Sequence, residues 1–107
     1  MTNKSKKILS EISAGELLDK ISILEIKISK ITDENKLSEV KKEHKILKET
    51  QSVCLKITDE IQKFYNDIKE INLVLWNTED KIRICEKNQD FGKNFIKLAR
   101  DVYIYND

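Results

Sequence analysis

Between Glu16 and Phe91 the chain contains neither glycine nor proline; its only glycines are Gly15 and Gly92, and proline is absent altogether. Those two residue types are the strongest breakers of a helix. So long a stretch without them, dominated by Lys, Glu, Leu and Ile, has few alternatives to amphipathic helix or coiled coil. The apolar spacing agrees. Leu17, Ile21, Leu24, Ile28 and Ile31 recur at alternating intervals of four and three, the pattern of an a/d seam. Leu18, Ile23 and Ile26 widen that stripe, which predicts that this helix touches more than one neighbour. The fold class that follows is all-α: an antiparallel helical bundle, or coiled-coil-like hairpins, of three or four helices. Residues 1–12 read as a flexible, solvated arm carrying Lys4, Lys6 and Lys7, and residues 13–107 as one helical domain.

Local signals divide the chain. Ser13 and Glu16 have the spacing of a capping box, with Ile12 and Leu17 placed as its hydrophobic staple. The first helix is therefore expected from Ser13 to about Ile31. Thr32 or Asp33 offers the next N-cap, and Leu37, Val40, His44 and Leu47 share a face of a weaker second helix. Between Glu49 and Lys56 the pattern fades, and Thr58 followed by Asp59 and Glu60 reads as a new N-terminus. A break is predicted there; the competing reading is one rod running on to Lys87. Ile57, Ile61, Phe64, Ile68, Ile71, Leu75, Ile82 and Cys85 form a third seam, with Thr78 at the one polar step. A turn containing Gly92 is predicted over Asp90–Lys93. A fourth helix then begins near Asn94, with Phe95, Ala99 and Val102 inward and Leu98 flanking them.

Composition excludes several functions. The net charge is only +1, with 20 basic and 19 acidic side chains, so no basic excess favours nucleic acid. Lys41, Lys42, Lys45 and Lys48 do cluster on the second helix, but Glu39, Glu43 and Glu49 interrupt them. Cys54, Cys85 and His44 match no metal-ligand spacing, and two isolated glycines make no phosphate loop, so no cofactor or metal is implied. No apolar run approaches the length that spans a bilayer, and nothing resembles a signal peptide. The expected setting is cytoplasmic, with reduced thiols and no membrane contact.

Three blocks are distinctive beyond their periodicity: GELLDKISILEIK at 15–27, LWNTEDKIRICE at 75–86, and DFGKNFIKLARDVYIYND at 90–107, with ITDENKLSEVKKE at 31–43 between the first two. Together they resemble an uncharacterised family of short helical proteins from bacteria and their phages. The resemblance covers most of the chain and includes many polar positions outside the seams. It implies no established activity. Its members sometimes accompany glycosyltransferase or tetratricopeptide segments, which points toward cell-surface carbohydrate work. The resemblance also implies a basic helical stretch beyond Asp107.

The polar residues of these blocks fall in rows. Lys20 and Lys27 lie seven apart beside the first seam; Asn72, Glu79, Arg83 and Glu86 border the third, with Trp76 beside them. An antiparallel pairing of the two helices would set Lys27 against Glu79 and Lys20 against Glu86. One reading is an interhelical salt-bridge ladder that fixes register. The other is a pocket for a small anionic metabolite, with Arg83 or Arg100 as a bidentate clamp and a carboxylate as acid or base. The first is favoured, because charge rows beside a seam usually serve pairing. The sequence thus favours a non-enzymatic module that self-associates or docks on a protein partner; the alternative is a small helical enzyme or binding protein using Lys20, Lys27, Glu79 and Arg83.

Overall fold

A computed structural model describes residues 11–106. The N-terminal arm expected over residues 1–12 therefore lies almost wholly outside the described residues. Four helices make up the rest: α1 (Ala14–Lys30), α2 (Glu34–Cys54), α3 (Asp59–Lys87) and α4 (Lys93–Asn106). The all-α reading holds.

Each helix starts where its capping chemistry dictates. Ser13 Oγ accepts from the Glu16 amide at 3.1 Å. The reciprocal half of the box, from the Ser13 amide to the Glu16 carboxylate, is not made. Asp33 caps α2, accepting from the amides of Asn35 (2.9 Å) and Lys36 (3.2 Å). Thr58 caps α3 through the Ile61 amide at 3.2 Å, so the continuous rod gives way to a break at 55–58.

The turn that closes α3 falls at Asn88 and Gln89, just ahead of the expected Asp90–Lys93. Gln89 carries the positive φ, 55°, and neither glycine has one. The Gln89 amide bonds to the Glu86 carbonyl (3.0 Å) and the Asp90 amide to the Cys85 carbonyl (2.8 Å). Those two bonds make a Schellman motif with Gln89 in the left-handed position usually held by glycine. Gly92 serves instead ahead of α4, its carbonyl accepting from the Ile96 amide.

α1 is the shared centre. It packs against α2 on one side and α3 on the other, while α4 packs on α3. Among the described residues, α2 and α3 share no such packing. Of the seven buried apolar residues, five lie on α1: Leu17, Leu18, Ile21, Leu24 and Ile26. Its wide apolar stripe thus meets two neighbours, as expected. At about 2 kcal/mol per buried aliphatic side chain, this one helix carries most of the core. α2 buries no residue fully, and Leu37, Val40, His44 and Leu47 are half-buried along its inner face. On α4 it is Leu98 that is buried and Ala99 that is exposed, the reverse of the expected order.

Direction is set by the contacts. Gly15 lies beside the Phe64 ring, Ser22 beside Asn72, and Ile26 and Lys27 share a groove with Leu75 and Glu79. Along this edge residue numbers rise together, so α1 crosses α3 in the parallel sense, obliquely enough that Glu25 still reaches back to Tyr65 and Lys69; α2 is antiparallel between them in sequence. The antiparallel pairs are the hairpins α1–α2 and α3–α4. This serial layout is open: the radius of gyration is 16.7 Å, against about 13 Å for a compact domain of this length. No described helix is long and apolar enough to cross a membrane.

Candidate functional site

The polar edge of α3 that faces α1 is the row Tyr65, Lys69, Asn72, Trp76 and Glu79, spaced four and three. It meets α1 at two places. At the first, Asn72 Nδ2 donates to Asp19 Oδ1 at 2.7 Å and to Ser22 Oγ at 2.8 Å. Ser22 Oγ donates in turn to the Asp19 carbonyl at 2.7 Å. Ser22 is fully buried, so this network must be satisfied to exist at all, and it is. It fixes the register of α1 on α3.

Beside that network opens a groove of about 320 Å³, lined by Asp19, Ile23, Ile26, Lys27, Asn72, Leu75, Trp76, Glu79 and Asn106. Trp76 and Leu75 are half-buried in it, and Lys27 and Glu79 stand on its facing helices. Neither Lys27 nor Glu79 enters an ion pair among the described residues. The groove therefore offers one ammonium (Lys27), two carboxylates (Asp19, held by Asn72, and Glu79) and an indole face.

The expected row divides at this point. Lys27, Asn72, Trp76 and Glu79 come together. Lys20, Arg83, Glu86 and Arg100 do not line the groove. The interhelical ladder is not formed. The parallel course of α1 and α3 separates Lys20 from Glu86, and α1 ends at Lys30, short of the level of Arg83 and Glu86. Arg83 pairs within its own helix, with Asp80 at 2.7 Å.

The second meeting place joins three helices on one carboxylate. Glu25 of α1 accepts from His44 Nε2 of α2 at 3.1 Å, from Lys69 Nζ of α3 at 3.1 Å, and from the Tyr65 hydroxyl of α3. Burial opposes ionisation of Glu25, but the hydrogen bonds from Tyr65, His44 and Lys69 outweigh it and hold the carboxyl below its ordinary range. An ionised carboxylate only accepts, so His44 Nε2 carries a proton here. Burial pushes the Tyr65 hydroxyl up, and its bond to Glu25 and the negative charge there push it further. Since α2 and α3 share no packing, Glu25 links them through α1. Beside it lies a smaller hollow of about 240 Å³, bounded by Leu18, Lys48, Gln51, Ile57 and Ile61 among others.

The sequence reading missed Glu25, Tyr65, Lys69 and Asp19. The row it did find, starting at Asn72, extends back by its own rhythm to Lys69 and Tyr65; two more steps would have reached them. His44 is half-buried on Glu25, and Cys85 is buried at the α3–α4 junction, with Asn94 Nδ2 at 3.9 Å from its sulfur. Among the described residues no group of His, Cys, Asp and Glu has the arrangement of a metal site.

A family model matches residues 8–107. The chain belongs to the family of unknown function DUF6165. No curated protein and no solved structure matches it. For this DUF6165 member, function rests on its own geometry.

Proposed function

We propose that this chain is a non-enzymatic protein–protein interaction module. One observation carries the reading. The third seam is much longer than the helices laid along it, and its first half stays open. Phe64 and Ile71, seven residues apart on α3, are 50% and 44% exposed; Ile57, just ahead of the α3 N-cap, is 42% exposed, and Tyr105 beside Ile71 is 46% exposed. The same heptad row is buried further along, at Thr78 and Cys85, where α4 covers it. Contiguous exposed apolar rows of this kind mark association surfaces. Light scattering over a concentration series, with an apolar-surface dye, tests the reading. Reversible association or dye binding that Phe64→Glu removes supports it. A monomer at every concentration that binds no dye refutes it. By this reading the module works in the cytoplasm, and the resemblance of its sequence blocks adds cell-surface carbohydrate synthesis as its setting.

A second reading is favoured by the unpaired Lys27 and Glu79 around Trp76: a site for a small anionic ligand. Trp76 is the only tryptophan, so its fluorescence reports on the groove directly. Quenching by phosphate or citrate that is lost in Lys27→Ala supports this; an unchanged spectrum at millimolar ligand removes it.

A further inference from the structure

The open half of the α3 seam has a charge signature that selects among occupants, and this inference rests on the interaction-module reading. On the same side of α3 as Phe64 stand Glu60, four residues before it, and Asp67, three residues after it. Asp67 and Glu70 line a hollow with Ile71, Val74 and Tyr105. Across the row, on the α1 side, Asp19 borders the adjoining hollow with Ile68, Ile71 and Tyr105. Lys63 lies one row further out, level with Glu70. The apolar strip is thus edged by carboxylates on both sides. None of Glu60, Asp67 and Glu70 enters an ion pair among the described residues.

We propose that this strip is the docking groove for a basic amphipathic helix of a partner protein, lying antiparallel to α3 in line with α4. α4 establishes the geometry: it already packs antiparallel on the other half of the seam, and Tyr105 and Asn106 reach Ile71. A helix continuing that line meets Phe64 and then the start of α3. The span from Ile71 to Asp59, where α3 begins, is about 18 Å at 1.5 Å per residue, a little over three turns of helix. Apolar side chains at three- and four-residue spacing fill the row, and lysines or arginines on the flanks meet Glu60, Asp67 and Asp19. A second copy of the chain fits less well. Two-fold antiparallel packing centred on Phe64 would set Glu60 of each copy near Asp67 of the other, acid against acid. An anionic membrane surface is repelled by the same carboxylates.

The test uses the full chain and three labelled 14-residue peptides: one with leucines at three- and four-residue spacing and lysines on the flanks, one with glutamates in place of those lysines, and one with the lysine composition scrambled. Fluorescence anisotropy reads binding. The lysine peptide should bind at least tenfold more tightly than the other two, and more weakly as salt rises. Phe64→Glu should abolish binding with helicity unchanged by circular dichroism. The double variant Glu60→Lys/Asp67→Lys should reverse the preference toward the glutamate peptide, and it decides the matter even where Phe64→Glu disturbs folding. Equal binding of all three peptides overturns the proposal, as does absence of binding. A dimer that Phe64→Glu dissociates overturns it in favour of a second copy. A tenfold gain in peptide affinity on deleting residues 1–10 overturns it in favour of the chain's own N-terminus. In these last two cases the interaction-module reading stands; it falls with the proposal only when peptides, dye and self-association all fail.

Discussion

Glu25 is where three helices can be loosened through one side chain. Glu25→Ala removes the acceptor for Tyr65, His44 and Lys69 together. The Lys69 side chain is 43% exposed, so its ion pair contributes at most about 0.5 kcal/mol. His44 and Tyr65 are better shielded, and a bond to a charged acceptor at such a site contributes about 1 kcal/mol. The sum is about 2–3 kcal/mol, a fall in Tm of about 8–20 °C for a chain of this length. Glu25→Gln keeps an acceptor for the Tyr65 hydroxyl and should cost about half as much. A double-mutant cycle with Tyr65→Phe should give a coupling of about 1 kcal/mol. The effect also depends on pH. The folded state lowers the Glu25 pKa, so its contribution is complete above the ordinary carboxylate value of about 4.3 and is lost as pH falls through the folded value. Tyr65 is shifted the other way; its contribution is complete below about pH 10 and is lost as pH rises through its folded value. The stability gap between wild type and Glu25→Gln should therefore be flat from about pH 5 to 9 and narrow on both sides. Urea unfolding followed by circular dichroism, from pH 3 to 11, measures it. A Glu25→Ala variant within 0.5 kcal/mol of wild type, with no pH dependence in the gap, would refute the three-helix junction.

Three further substitutions follow from the backbone and the core. Ile21 of α1 is fully buried, so Ile21→Ala should cost about 2–5 kcal/mol by chemical denaturation, a large share of the stability of so small a domain. Gln89 holds a left-handed conformation, so Gln89→Gly should raise stability by about 1 kcal/mol, seen as a higher urea midpoint with an unchanged slope. A Cβ at Gly15 would meet only ordinary contacts, at 3.8 Å from Ser13 Oγ and 4.0 Å from the Phe64 ring; Gly15→Ala, inside a helix, should stabilise by about 0.5 kcal/mol by thermal melting.

Much of this architecture could be read from residues alone, for identifiable reasons. Caps at Ser13, Asp33 and Thr58 are local chemistry, complete within a few residues, so the sequence exposes them. The width of the α1 stripe announced two neighbours because Leu18 and Ile26 fall off the main seam. Direction was not legible: a four-three rhythm reads the same from either end, and the ladder from Lys20 and Lys27 to Glu86 and Glu79 required the wrong sense. The Glu25 junction joins residues 19, 40 and 44 positions apart, and nothing local records such distances. The left-handed Gln89 was hidden by Gly92, three residues on, which drew the turn to itself. Four of the nine groove residues, Lys27, Asn72, Trp76 and Glu79, were visible as border residues; Asp19 and Ile23 entered it through the packing of α1, and Asn106 through the return of α4 along α3.

Isoleucine methyl spectra recorded with a soluble paramagnetic agent would probe the buried hub and the open seam at once. In the monomer, the methyls of Ile21 and Ile26 should be untouched, while those of Ile57 and Ile71 bleach strongly. If Ile71 and Ile57 are shielded as well as Ile21, or Ile21 bleaches with them, then α1 is not the buried centre flanked by an uncovered α3 face.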